Sequence, residues 1–136
     1  GDYARAVKDL ELSARLGRYD SRPLVSLAAA YSYLGQRDKM MDALRRAQKR
    51  SPDAYHVKSS LATIFFDQQQ YDSALVYAEK AIHEQTTYAL GYYYAGYSAY
   101  RLGNLTKAKT YLAKVIELAP NTAQGAQAAD ILSKLP

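Results

Sequence analysis

Small and turn-forming residues return every 34 positions along this chain, and no other feature narrows its fold as much. Gly35 and Gly103 stand two periods apart, with Gln69 at the intervening site and Gly1 one period earlier. Two positions on come Tyr3, Arg37, Tyr71 and Leu105; five on come Ala6, Met40, Ala74 and Ala108; twelve on come Ser13, Ala47, Ala81 and Val115. A second set of columns holds Leu27, Leu61, Ala95 and Ala129, each followed by Ala28, Ala62, Gly96 and Asp130, and three further on by Tyr31, Phe65, Ala99 and Ser133. Such a period marks stacked supersecondary units, none of which can bury its apolar face alone.

Each unit reads as two helices. Apolar residues recur at three- and four-residue steps, as in Leu24, Leu27, Ala28 and Tyr31. Asp20 and Ser21 offer N-caps before Pro23, which a first helical turn tolerates. Gly35 and Gly103 allow the left-handed backbone of a tight helix-to-helix turn, and Pro52 and Pro120 stop the second helix. The pattern predicts helices over 2–16, 21–34, 37–50, 54–68, 71–84, 88–102, 105–118 and 123–135. The fold class is all-α, an α-α superhelix (solenoid) of helix-turn-helix repeats with about eight helices.

These columns resemble the tetratricopeptide repeat. Residues 89–120 carry its pattern through Tyr92, Ala95, Gly96, Gly103, Ala108, Leu112 and Pro120. Residues 21–52 carry it through Leu24, Leu27, Ala28, Tyr31, Gly35, Leu44, Ala47 and Pro52, with Met40 where Ala is usual. Residues 55–86 carry it through Leu61, Ala62, Phe65, Tyr71, Ala74 and Ala81, without the turn glycine and the proline. On this resemblance, residues 1–136 are one repeat array: a half repeat 1–20, repeats 21–54, 55–88 and 89–122, and a polar cap helix 123–135. The chain begins at Gly1, without Met and inside a predicted helix, and so reads as an excised piece of a longer protein.

The resemblance implies a protein–protein interaction scaffold, in which the first helix of each pair lines a concave groove for a peptide or helix segment. In helix 88–102 the packing columns take Tyr92, Ala95, Gly96 and Ala99, which leaves Tyr93, Tyr97 and Tyr100 as one stripe flanked by Tyr94 and Arg101. Equivalent positions in earlier helices add Tyr33, Ser59, Thr63 and Phe66. These nine residues are the expected partner-binding groove, since Tyr and Arg dominate interface hot spots. Some relatives grip a C-terminal carboxylate through Lys and Asn on the first such helix; Val25 and Ala29 stand there instead, so that clamp is absent, although Arg101 could still meet an acidic side chain. The alternative reading is self-association, with the open face of helix 2–16 stacking on a second copy to form a homo-oligomer.

Composition excludes several other roles. Fourteen tyrosines accompany two phenylalanines and neither Trp nor Cys, so no disulfide or thiolate metal site can form. A cysteine-free chain suits bacterial cytoplasm and periplasm alike. The net charge of +5 is concentrated in residues 1–58, which hold 12 Lys/Arg against 7 Asp/Glu. Acidic residues intersperse these bases and no aromatic–basic alternation suggests base stacking, which argues against nucleic acid. The Gly91–Ser98 stretch has phosphate-loop glycine spacing, but Tyr97 replaces the required lysine and the segment is helical. His56 and His83 lie on different helices without the spacing of a metal site. We therefore expect no catalytic residues, no cofactor, no metal and no membrane span in this stretch.

Overall fold

The structure, a computed structural model, describes residues 2–136; Gly1, the earliest member of the turn column, lies outside them. The described residues form eight α-helices and no strand: α1 (Tyr3–Leu16), α2 (Arg22–Tyr33), α3 (Arg37–Arg50), α4 (Tyr55–Asp67), α5 (Tyr71–Glu84), α6 (Ala89–Arg101), α7 (Leu105–Leu118) and α8 (Ala123–Lys134). Helix boundaries fall close to those the periodicity predicts. The chain divides into two compact units, one closing at Ser60 and the other running Leu61–Pro136, so that α4 belongs partly to each.

The turn column explains the hairpins. Gly35, Gln69 and Gly103 all adopt left-handed backbone, with φ of 69°, 59° and 79°. In each turn the next amide reaches back to the helix before it: Gln36 N–H to Tyr31 C=O, Gln70 to Phe65 and Asn104 to Ala99, all at 2.9 Å. These are Schellman closures, which satisfy carbonyls that the helix end leaves orphaned. Gln69 makes the same turn as the glycines, at a conformational cost of about 1–2 kcal/mol for a residue with a Cβ. The column twelve residues past the turn has its own backbone role. The carbonyls of Ser13, Ala47, Ala81 and Val115 accept from Gly17, Ser51, Gln85 and Ala119 and close the second helix of each pair.

In the first unit, α2 packs against both α1 and α3. Leu24, Leu27, Ala28 and Tyr31 are buried with Met40, Ala43, Leu44 and Ala47. Polar contacts reinforce this core. The Arg50 guanidinium donates to the carbonyls of Ala14, Gly17 and Asp20 at 2.8, 3.1 and 3.1 Å, tying the end of α3 to the end of α1. The N-cap assignment is corrected in detail. The Asp20 carboxylate accepts from Arg22 N–H at 2.9 Å, whereas the buried Ser21 hydroxyl is spent on His56 Nε2 at 2.7 Å. The Arg22 side chain, forked on Asp20, holds that carboxyl down at about 2.

In the second unit α6 is central, packed on α5, α7 and α8. A Cβ on Gly96 would lie 2.8 Å from Leu112 Cγ and 3.0 Å from its backbone nitrogen, so the small-residue column sets how closely α6 and α7 approach. Glu79 on α5 accepts from Lys107 Nζ at 2.6 Å and from the Tyr111 hydroxyl at 2.8 Å. Burial, aided by the Glu79 carboxylate, pushes the Tyr111 phenol up to about 12. The Asn104 side chain caps α7 by accepting from Lys107 N–H at 3.2 Å. On α8 the inward residues are Gly125, Ala128 and Ile131. Ala129, Asp130 and Ser133, whose columns pack inward on earlier helices, are exposed here, and Asp130 pairs with Lys134 at 2.8 Å. Gly125 sits where any Cβ would strike the Ala119 carbonyl oxygen and come within 2.9 Å of that of Pro120.

Candidate partner-binding face

The second unit gathers an aromatic network around Phe66. Its ring centroid lies 4.6 Å from Tyr94, 5.4 Å from Tyr97, 5.8 Å from Tyr93 and 5.9 Å from Tyr71. Tyr97 is in turn 5.9 Å from both Tyr71 and Tyr93 and 6.3 Å from Tyr100. At such separations each tilted or edge-on pair contributes about 0.5–1.5 kcal/mol beyond burial of its area. The network forms because α6 puts small residues at its packing positions and carries five tyrosines, Tyr92, Tyr93, Tyr94, Tyr97 and Tyr100, in the rest of its length.

The nine expected groove residues divide by environment. Tyr93 and Tyr94 belong to the core, at 7% and 8% exposure. The Tyr93 hydroxyl donates to Gln127 Oε1 of α8 at 2.6 Å, and burial raises its pKa. Burial likewise raises that of Tyr94, whose hydroxyl is hydrogen-bonded with Thr63. Tyr97 is half-buried, and Tyr100 and Arg101 are exposed. Phe66 and Thr63 are half-buried between these extremes. Tyr33 and Ser59 belong to the first unit: Tyr33 is 73% exposed and stacks on Tyr3 at 4.7 Å, and the Ser59 hydroxyl donates to the His56 carbonyl at 3.3 Å.

Arg101 is held by phenols. Its guanidinium carbon lies 4.8 Å from the Tyr71 ring centroid and 5.9 Å from that of Tyr97, and Nη1 donates to both hydroxyls, at 3.1 and 3.4 Å. The Tyr97 hydroxyl bond is the main cause of its raised pKa. Among the described residues no carboxylate pairs with it. Beside it, Phe66, Asp67, Gln69, Tyr71, Tyr93, Tyr97 and Gln127 line an open recess of about 270 Å³. Tyr71 and Gln69 are not among the residues singled out from the sequence. Both stand in or next to the turn column, so periodicity assigns them to the hairpin rather than to a surface.

The arrangement offers apolar area, phenolic hydroxyls and a fixed cation, which suit recognition of another chain. The Ser21 hydroxyl, hydrogen-bonded to His56 Nε2, is buried at 1% exposure. Among the described residues no three His, Cys, Asp or Glu side chains gather as a metal site, and no helix is long and apolar enough to cross a membrane.

Tetratricopeptide repeat models match residues 89–122 and 21–54. No curated protein matches the chain in sequence. Among solved structures, the MamA RS-1 ArsTM double mutant superposes with a TM-score of 0.82 at 21% identity, covering 98% of this chain and 83% of that one. MamA 41-end from Desulfovibrio magneticus RS-1 gives 0.81 at 20%, covering 98% and 84%. The first TPR of Spaghetti (RPAP3), bound to the HSP90 peptide SRMEEVD, gives 0.71 at 19%, covering 84% and 94%. These likenesses fix the fold as an all-α repeat fold of the solenoid class.

Proposed function

Because the chain belongs to the tetratricopeptide repeat family, we propose that it is a protein-interaction scaffold whose second unit binds a peptide or helix segment on its tyrosine-rich face. The observation that carries this reading is the solvent-facing group of Tyr71, Tyr97, Tyr100 and Arg101, in which a guanidinium without a carboxylate is already oriented by two phenols. Rigid aromatics and a pre-placed Arg reduce the ordering entropy that binding must overcome. The likeness to an RPAP3 repeat domain bound to a peptide supports a polypeptide partner. Tyr93 and Tyr94 serve as the floor of this face, and Tyr97, Tyr100 and Arg101 make contact. On this reading the chain is one array, with repeats 21–54, 55–88 and 89–122 between a half repeat 1–20 and a closing helix 123–135.

An affinity near micromolar, about −8 kcal/mol, is ordinary for such a face. The test is capture of partners by the native chain and by a Tyr97→Ala/Tyr100→Ala variant whose helicity is unchanged. Capture should drop at least tenfold, and undiminished capture by the variant removes this face from the account.

A second reading, self-association, rests on a different observation. On α1, Leu12 and Leu16 are 53% and 77% exposed and line a recess with Asp9, Ser13, Gly17 and Pro23. Sedimentation velocity across a hundredfold concentration range distinguishes the two: a single monomeric species throughout ends the self-association reading and leaves the first intact.

A further inference from the structure

We propose that the segment bound by the second unit anchors itself with a basic side chain, Lys or Arg, whose cation enters the recess lined by Phe66, Tyr71, Tyr93 and Tyr97 and meets the Asp67 carboxylate; this rests on the partner-binding reading of that face. Three features favour a cation at this point. First, the Asp67 carboxylate has neither a hydrogen bond nor an ion pair among the described residues, although the residue lines a recess. Partial desolvation against the recess pushes its pKa up, and no neighbouring cation pulls it back. Second, Asp67 is the last residue of α4, where the helix macrodipole is negative, so two sources of negative potential add rather than cancel. Third, the other walls are aromatic rings, whose faces attract ammonium and guanidinium groups more strongly as water is excluded.

The resident cation does not fill this role. Arg101 sits against the Tyr71 and Tyr97 rings but does not line the recess and forms no ion pair with Asp67. An acidic anchor would face the Asp67 charge, and a neutral amide would leave that charge uncompensated. The basic anchor also distinguishes this face from the carboxylate-gripping clamp, whose Lys and Asn positions are Val25 and Ala29 in this chain.

The experiment is an affinity selection of random twelve-residue peptides, displayed from a synthetic library of known composition, on the intact chain. Binders are kept if Tyr97→Ala weakens them, and their Kd is measured by fluorescence anisotropy. The expected result is Lys or Arg at one fixed position in the Tyr97-dependent peptides. Replacing that residue by norleucine, and separately replacing Asp67→Asn in the protein, should each weaken binding about tenfold, roughly 1.4 kcal/mol. The norleucine change should cost clearly less against Asp67→Asn than against the native chain, because the two changes share one contact while the ring contact is lost in both. Tyr97-dependent peptides without a fixed basic residue, or with equal affinity for Asp67→Asn, overturn the basic anchor while leaving the binding face standing. A selection that returns no Tyr97-dependent peptide overturns both. Asp67 is exposed at a helix end, so the variant should keep its circular dichroism spectrum, and the norleucine comparison needs no variant of the protein.

Discussion

The α2–α3 pair of the first unit and the α6–α7 pair of the second use one packing frame for opposite surface chemistries. Both pairs bury the same columns: Leu27, Ala28 and Tyr31 with Met40 and Leu44 in one, Ala95, Gly96 and Ala99 with Ala108 and Leu112 in the other. Away from the columns they diverge. The first unit carries the chain's excess of basic residues and spends several of them internally, with Arg50 on three carbonyls and Arg46 beside Glu11 and Asp42. The second unit is nearly balanced in charge and concentrates its tyrosines into one network. Column residues thus set the fold, and the residues between columns set what each unit presents to solvent. An arginine's meaning depends on which of the two classes its neighbours belong to.

The sharpest way to break this comparison is at the columns. Leu44→Ala and Leu112→Ala should each cost about 2–5 kcal/mol in urea denaturation, because both side chains are fully buried at equivalent positions. A large disparity would mean that the frames are not equivalent. Next come the two arginines. Arg50→Met strips charged donors from three carbonyls and should cost about 1.5–3 kcal/mol. Arg101→Met should leave stability within about 0.5 kcal/mol, since Arg101 is exposed, while weakening partner binding.

The turns give a smaller contrast with opposite signs. Gly103→Ala places a Cβ on left-handed backbone with no neighbour within 4 Å, so only the backbone penalty of about 1–2 kcal/mol applies. Gln69→Gly removes that same penalty and adds unfolded-chain entropy, for a net gain of about 0.5–1 kcal/mol in the denaturation midpoint analysis. The narrowest contrast, confined to alkaline pH, is at Tyr111. Tyr111→Phe deletes one bond to Glu79, worth about 1 kcal/mol near neutral pH. The folded phenol titrates at about 12 against 10.0 for an ordinary tyrosine, so the unfolded chain gives up this proton first. Its contribution is complete below about pH 10 and is lost as pH rises toward 12, so the wild type should lose stability over that window more steeply than Tyr111→Phe.

Most of the fold was legible because close helix packing demands small residues at fixed places, and Ala28, Ala62, Gly96 and Ala108 announce those places directly. Even Gln69 could be placed in the turn by its position in the column, despite lacking glycine's freedom. The proposed binding face was legible only in part. Tyr93 and Tyr97 are one helical turn apart and chemically identical, and Phe66 touches both, yet Gln127 holds the first inward while the second stays half open. Nothing within α6 distinguishes them, since the difference arises from a residue on α8. Tyr71 was missed for the converse reason, because a turn column accounts for it so well that its contact with Arg101 leaves no separate trace. On α8, Asp130 stands in a column that is buried elsewhere, and only the packed structure reveals that this side of the helix faces solvent.

Gly125 carries a practical lesson for anyone who would treat these repeats as interchangeable bricks. Its column reads Pro23, Val57, Gly91 and Gly125, and Val57 buries a whole side chain where Gly125 has main chain pressed against main chain. The joints are therefore keyed rather than uniform. A splice that moved α4 into the place of α8 would bring a valine into a socket cut for hydrogen, so chimeras assembled from this chain must carry each joint's own column residue along with the segment that faces it.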